Sequence, residues 1–361
     1  MNIFTKAPNT EFMSHDDLNK HVLSQYKVNV YSIDNIKFKD TDKQRAVYRI
    51  NTDKGAKCLK KVYYDKHTLL FIYSTIEWLN MKGIRCPRLI PSKEGVRFVE
   101  YNNNVFILTD WIDGRKCSYD NLEDIIHAAG NLGNLHKSSF GFTPITDSFL
   151  RVSSTDYYDS YSKHFKQLSS LYEKATLSKD KFSNEFIRNY EYNLNHARKS
   201  VNILSSLNFD KNFGDNVSTF SICHLDYVNK NLIFSNNGLY IIDFDNTKMD
   251  YPVHDIVYFL KRILRRKRTS WSFEIFTTAM NSYEEFRKLS YGEHLFILAA
   301  LEFPHKFWKI SRDYYKYNGV NNKDFFLKQI NSISSQQKRH EEFCSVYKSY
   351  IQDRFGKSKL N

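Results

Sequence analysis

The hydrophobic period of this chain changes once along its length, and that change limits the folds open to it. Up to about residue 108 apolar and polar residues alternate. "NVYSIDNIKF" (29–38), "RAVYRIN" (45–51) and "KCLKKVYY" (57–64) read as strands, the last two joined by the turn "TDKG". A helix is predicted over 65–82, with Leu69, Ile72, Ile76 and Leu79 on one face and Gly83 as its stop. "VRFVEYNNNVFILTDWIDG" supplies two more strands around a polar turn. From Ser118 onward the period is helical: 121–138, then one long helix over 182–207, then further helices within 254–353. The expectation is an α+β chain, a small antiparallel sheet carrying one long helix followed by a large, mainly helical part.

One β-like island interrupts the helices, "ICHLDYVNKNLIFSNNGLYIIDFDN" (222–246). "NLIF" and "LYII" are short strands joined by "SNNG", whose Asn-Gly pair favours a tight hairpin. Antiparallel pairing brings Asn231 beside Asp243 although they are 12 positions apart, and Asp226 lies on the loop feeding the hairpin. A carboxylate and an amide oxygen on adjacent strand ends form the hard-oxygen site that Mg²⁺ prefers, so Asn231 and Asp243 are the candidate metal ligands. Asp226 is the candidate group that takes or orients a proton of a substrate hydroxyl. Metal, base and positioning are the parts phosphoryl transfer needs. Asp and Asn are also ordinary turn formers, so the spacing carries weight only with the His224, the hairpin and the Asp after "YII" around it.

Of the 361 residues 41% are hydrophobic, which excludes a disordered chain. The formal charge is +13, from 53 Lys and Arg against 40 Asp and Glu. Most of it is scattered and serves solubility; the dense run "KRILRRKR" (261–268) reads as a helix with one apolar edge and a solvated basic face. No aromatic–basic stripe or nucleic-acid module is present, so no nucleic-acid partner is expected. The five cysteines are too widely spaced for a zinc or redox motif. No apolar run suits a signal peptide or a membrane span, so cytoplasmic synthesis is expected, with no membrane partner.

The island resembles the H-G-D-x₄-N…(I/V)-D-(F/W) signature of the aminoglycoside-phosphotransferase and choline-kinase-like superfamily, relatives of the protein kinases. "CLKKV" resembles its third-strand lysine segment, "VFILTDWIDG" its hinge, "LGNLH" (132–136) its L-x-x-L-H helix end, and "DYPVHDIV" (250–257) the segment after the metal Asp. The resemblance implies a two-lobed protein-kinase-like fold: an N-terminal lobe over 1–108, a hinge at 109–113, and a helical lobe over 114–361 that holds the 222–246 hairpin. It implies ATP and Mg²⁺ as cofactors. Lys60 contacts phosphate, Asp110 and Trp111 lie at the nucleotide, and His224 and Asp255 support the loop. Alternation along "KCLKKV" puts Cys58, Lys60 and Val62 on one face, which favours Lys60 over Lys61. Glu77 is the candidate helix carboxylate to pair with Lys60, and His136 is taken as structural.

"GAKCLKKV", "LLFIYSTIEWLNMKGIRCPRLIPSKEG" and "FILTDWIDGR" are similar to the CotS-type spore coat proteins within that superfamily. This implies a kinase-fold component of the bacterial endospore coat, made in the mother-cell cytoplasm and deposited in the coat among other coat proteins. The alternative is an active small-molecule kinase with a metabolic role, its acceptor a hydroxyl or an amine. Two departures bear on activity. Leu225 replaces the glycine of H-G-D, and since leucine does not take positive φ as glycine does, a differently shaped loop is expected. The first strand connection, "KDTDKQ" (39–44), has no glycine to cover a nucleotide. The 25 Tyr and 28 Phe suggest exposed aromatic patches for coat adhesion, "SRDYYKYNGVNNKDFF" (311–326) being the candidate; the same rings could instead cap the helical core.

Overall fold

The computed structural model describes residues 12–39, 45–154, 156–207, 220–317 and 322–356. The "KDTDKQ" connection and the centre of the aromatic run (318–321) therefore fall largely outside the described residues. The chain forms two compact units. The first comprises 1–116, 141–151 and 230–245, and the second the remainder. A single cut at 109–113 thus does not separate them: the hairpin joins the first unit because its leading strand pairs with residues just past the cut.

In the first unit β1 (Val30–Lys39), β2 (Arg45–Thr52), β3 (Gly55–Val62), β4 (Val99–Tyr101) and β5 (Asn104–Asp110) form an antiparallel sheet of order β1-β2-β3-β5-β4. Asn102 and Asn103 both take positive φ between β4 and β5, the conformation a tight two-residue hairpin demands and asparagine tolerates. Strand alternation gives the sheet two different faces. Tyr48, Ile50, Leu59, Phe106 and Leu108 pack against Leu18, Val22, Leu23 and Tyr26 to make the core. Their neighbours Val47, Lys60 and Ile107, in register across three strands, line a cavity on the other face. The helix α1 (Lys66–Met81) begins where the Asp65 carboxylate accepts from the Thr68 N–H at 2.7 Å, and its Ile72 and Ile76 line the same cavity.

The hairpin of β8 (Leu232–Ser235) and β9 (Gly238–Ile241) is completed by β6 (Arg115–Lys116), which pairs with β8. Gly114 is required before β6. Its φ is +155°, and a Cβ there would lie 2.2 Å from the Phe234 carbonyl oxygen.

The second unit is mainly helical. It contains α2 (Leu122–Ser138), α3 (Tyr157–Leu177), α4 (Lys181–Arg188), α5 (Tyr190–Ser206), α6 (Pro252–Leu264), α7 (Phe273–Glu284), α8 (Tyr291–Glu302), α9 (His305–Lys316), α10 (Lys323–Ser334) and α11 (Gln337–Phe355). A short pair, β7 (Ser221–Cys223) with β10 (Lys248–Asp250), leads into and out of the loop region. The long helix expected over 182–207 is two helices. The break falls at Asn189, whose φ/ψ of −101°/1° departs from the helix and whose side-chain amide also donates to the Glu185 carbonyl at 2.7 Å. α2 and α7 meet at Gly133, where a Cβ would lie 2.4 Å from the Tyr283 carbonyl oxygen. α8 is buried all round from Gly292 to Glu302 and is held at its start by a Ser290–Glu293 capping box.

The aromatic run divides between core and surface. Tyr314 stacks on Phe182 with centroids 3.9 Å apart, whereas Tyr317 is 67% and Phe325 48% exposed.

Candidate functional site

The sheet cavity of the first unit has a volume of about 550 Å³. β3 carries Lys60 into it, because odd-numbered neighbours such as Leu59 are taken by the core. The Lys60 Nζ donates to Asp243 Oδ1 at 2.6 Å and to Asp245 Oδ1 at 2.7 Å. Arg45, on the same face of β2, donates to Asp245 Oδ2 at 2.8 Å and lies 3.7 Å from Asp243. Tyr64 donates to Asp245 from 3.3 Å. Two cations thus offset two carboxylates in a largely dehydrated setting, Asp245 being 3% exposed and Asp243 23%. Burial works to lower the Lys60 ammonium, but Asp245 and Asp243 outweigh it and hold its pKa above the usual lysine range. Arg45 is raised against its own desolvation by the same two carboxylates. Burial and then Asp245 push the Tyr64 phenol well up, so it remains a donor.

Asn231 and Asp243 both line this cavity. They meet as the strand pairing requires: the Ile242 N–H donates to the Asn231 carbonyl at 2.9 Å, one residue before Asp243. Asp243 takes φ +69°, a conformation acidic residues tolerate locally. A buried amide and a partly open carboxylate are an oxygen donor set suited to Mg²⁺, with room for water and phosphate. Asp110 and Trp111 line the cavity as well. Asp110 pairs with Lys57 at 2.6 Å, and Arg49 lies 5.6 Å from the Trp111 ring centre.

Glu77 does not pair with Lys60. It binds the guanidinium of Arg88, an exposed partner nearer to it, while Lys60 is taken by the two aspartates. Asp245, Arg45 and Tyr64 escaped the sequence reading. The signal for Arg45 was its even spacing from Val47 on a strand beside Lys60, and for Asp245 its place two residues after Asp243.

The second unit holds the His224-Leu225-Asp226 loop. Asp255, fully buried on the first turn of α6, accepts from the His224 N–H at 2.5 Å and the Leu225 N–H at 2.7 Å. The Asp226 N–H donates to His224 Nδ1 at 3.2 Å. His136, at the end of α2, lies 3.5 Å from Asp255 and bonds Tyr283 Oη at 2.8 Å. Burial would raise the Asp255 carboxyl, but His136 and the loop donors prevail and hold it below the usual aspartate value. The Asp226 carboxylate accepts from Tyr258 Oη at 3.1 Å.

Leu225 has φ +56° and so adopts the left-handed conformation that glycine would supply, contrary to the expected change of loop shape. The two N–H bonds to Asp255 hold it there. Leu225→Gly should therefore be tolerated to within about 1 kcal/mol, relief of strain offsetting lost side-chain packing. A β-branched residue, Leu225→Val, should cost about 1–2 kcal/mol more than glycine in a denaturant titration. Equal midpoints for the two variants would count against strain at this position.

The family described as "Spore coat putative kinase YutH" matches residues 22–347. "Spore coat protein S" of Bacillus subtilis (strain 168) is 20% identical over 340 residues, covering 89% of this chain and 96% of that protein. Among solved structures, an aminoglycoside phosphotransferase from Alicyclobacillus acidocaldarius superposes with a TM-score of 0.80 at 16% identity, covering 92% of this chain and 96% of that one. The amicoumacin kinase hAmiN, solved in complex with AMP-PNP, Ca²⁺ and Ami, superposes with a TM-score of 0.59 at 13% identity, covering 91% of this chain and 94% of that one. The sheet with its helix and the helical unit are thus those of the aminoglycoside-phosphotransferase, kinase-like fold. With the match spanning nearly the whole chain, the protein belongs to the spore coat kinase-like family of that description.

Proposed function

We propose that the protein is a kinase-fold component of the endospore coat that binds ATP with Mg²⁺ and transfers the γ-phosphoryl group to a small-molecule hydroxyl or amine. The observation that carries this reading is the Lys60–Asp243–Asp245–Arg45 cluster in a cavity of about 550 Å³, a volume suited to a nucleotide. Asn231 and Asp243 would hold the metal, which supplies charge neutralisation at the phosphates. Lys60 and Arg45 can exchange their carboxylates for phosphate oxygens. Asp110 and Trp111, which line the same cavity, would contact the nucleotide. Asp226 would act as the base, taking the proton of the acceptor hydroxyl or amine. His224 and Asp255 position that carboxylate through the loop backbone.

The family and its Bacillus subtilis relative support deposition in the coat after synthesis in the mother cell. Among the described residues no helix is long and apolar enough to cross a membrane. Fractionation of sporulating cells should place the protein in purified spores. A protein found only in the soluble mother-cell fraction, with turnover on a metabolite, would replace the coat role by a metabolic one.

A further inference from the structure

The run "KRILRRKR" is solvated only in part: Arg262, Lys267 and Arg268 are exposed. Lys261 and Arg265 are partly buried, and they line a cavity of about 960 Å³ within the helical unit. Six basic side chains line it, Lys261, Arg262, Arg265, Arg266, Lys306 and Lys309, against two carboxylates, Asp156 and Asp313. Those acids are engaged elsewhere, Asp313 with Arg312 and Asp156 with Ser154. Of the basic groups Arg266 pairs with Asp120, and Arg262 bonds the Tyr258 hydroxyl at 2.9 Å. Lys261, Arg265, Lys306 and Lys309 form no ion pair among the described residues. The Nδ1 of His305, also in the lining, is buried with no hydrogen-bond partner among the described residues.

Clustering partly buried cations without counter-charges is unfavourable, and a fold that does so around a cavity is complementary to an anion. Burial and the neighbouring Arg265 lower the Lys261 ammonium well below its ordinary range. Burial brings Arg265 down to about 10. An anion would reverse both shifts by supplying the missing charge. The cavity also reaches the proposed base. Tyr258 and Arg262 line it, and the Tyr258 hydroxyl donates to Asp226.

We propose that this cavity is the acceptor site and that it takes a small metabolite bearing phosphate or carboxylate groups, held by Lys261, Arg265 and Lys306, with the hydroxyl or amine to be phosphorylated directed toward Asp226. The assignment as acceptor rests on the phosphotransfer reading, while the anion preference rests on the cavity alone. A polycationic aminoglycoside would meet like charge here.

The test uses the full-length protein at constant ionic strength, with citrate and pyrophosphate as anionic probes and glucose and kanamycin as neutral and cationic ones. Calorimetric titration is expected to give saturable binding of at least one anion. Binding should weaken at least tenfold in Lys261→Gln/Arg265→Gln and by less in Lys306→Gln. A response to citrate alone identifies carboxylate ligands, and to pyrophosphate alone phosphorylated ones. The double variant removes mutual repulsion, so its melting temperature without ligand should equal or exceed that of the wild type. Equal anion affinity in wild type and double variant, no saturable anion binding, or tighter binding of kanamycin would overturn the proposal. The ATP–Mg²⁺ melting shift, measured separately, reports on the sheet cavity. Anion binding without that shift would leave the anion site standing and overturn its assignment as the acceptor site.

Discussion

Asp255→Ala is expected to destabilise the protein by about 3–5 kcal/mol, the cost of removing one member of a buried, hydrogen-bonded charged group. Three groups lose their partner at once: the N–H donors of His224 and Leu225 and the imidazole of His136. Each buried donor left unmade costs about 1–3 kcal/mol. Asp255→Asn keeps one accepting oxygen and should lose less. The pH dependence follows from the direction of the pKa. The folded carboxyl lies below its unfolded value, so its stabilisation is complete above about pH 4 and is lost as pH falls through the lower folded value. Acid titration followed by circular dichroism should show a shallower loss below pH 4 in Asp255→Asn than in wild type. Parallel curves would mean that Asp255 does not carry the brace.

Asp243→Ala is expected to abolish the rise in melting temperature produced by ATP with Mg²⁺ in the wild type. A ligand at a hundred times its dissociation constant contributes about 2.7 kcal/mol, and that whole contribution should vanish. The unliganded variant should remain close to wild type, because Asp245 keeps both Lys60 and Arg45 paired when Asp243 is gone. Asp245→Ala separates the two roles. Asp245 is 3% exposed and anchors both cations, so its loss should lower stability by about 3 kcal/mol before any ligand is added. An undiminished ATP shift in Asp243→Ala would exclude this carboxylate as a metal ligand.

What the sequence disclosed was whatever depends on local pattern. The strands around Tyr48, Leu59 and Phe106 announced themselves by alternation, and α1 by its apolar face between Asp65 and Gly83. The meeting of Asn231 with Asp243 followed from hairpin geometry alone. What stayed hidden depends on distant partners. Glu77 was suitably placed on its helix, but only the fold brings Arg88 to it and two aspartates to Lys60. Leu225 breaks the glycine rule because a buried acid 30 positions later holds its backbone. A helical stripe continues in sequence across Asn189, although the backbone leaves helical geometry there. A basic run looks wholly solvated, although part of it lines a cavity with residues of 305–316 and 323–334.

The contact at Gly133 works as a spacer of zero thickness. With no side chain at that point α2 lies directly on the backbone of α7, and this sets where His136, three residues on, meets Tyr283 and Asp255. A single methyl group there would act as a shim, lifting one helix off the other and carrying the imidazole with it. The geometry of the 224–226 loop is therefore gauged by a residue that touches neither the loop nor any ligand. Substitutions at this remote crossing should register first in the loop rather than in the helices themselves.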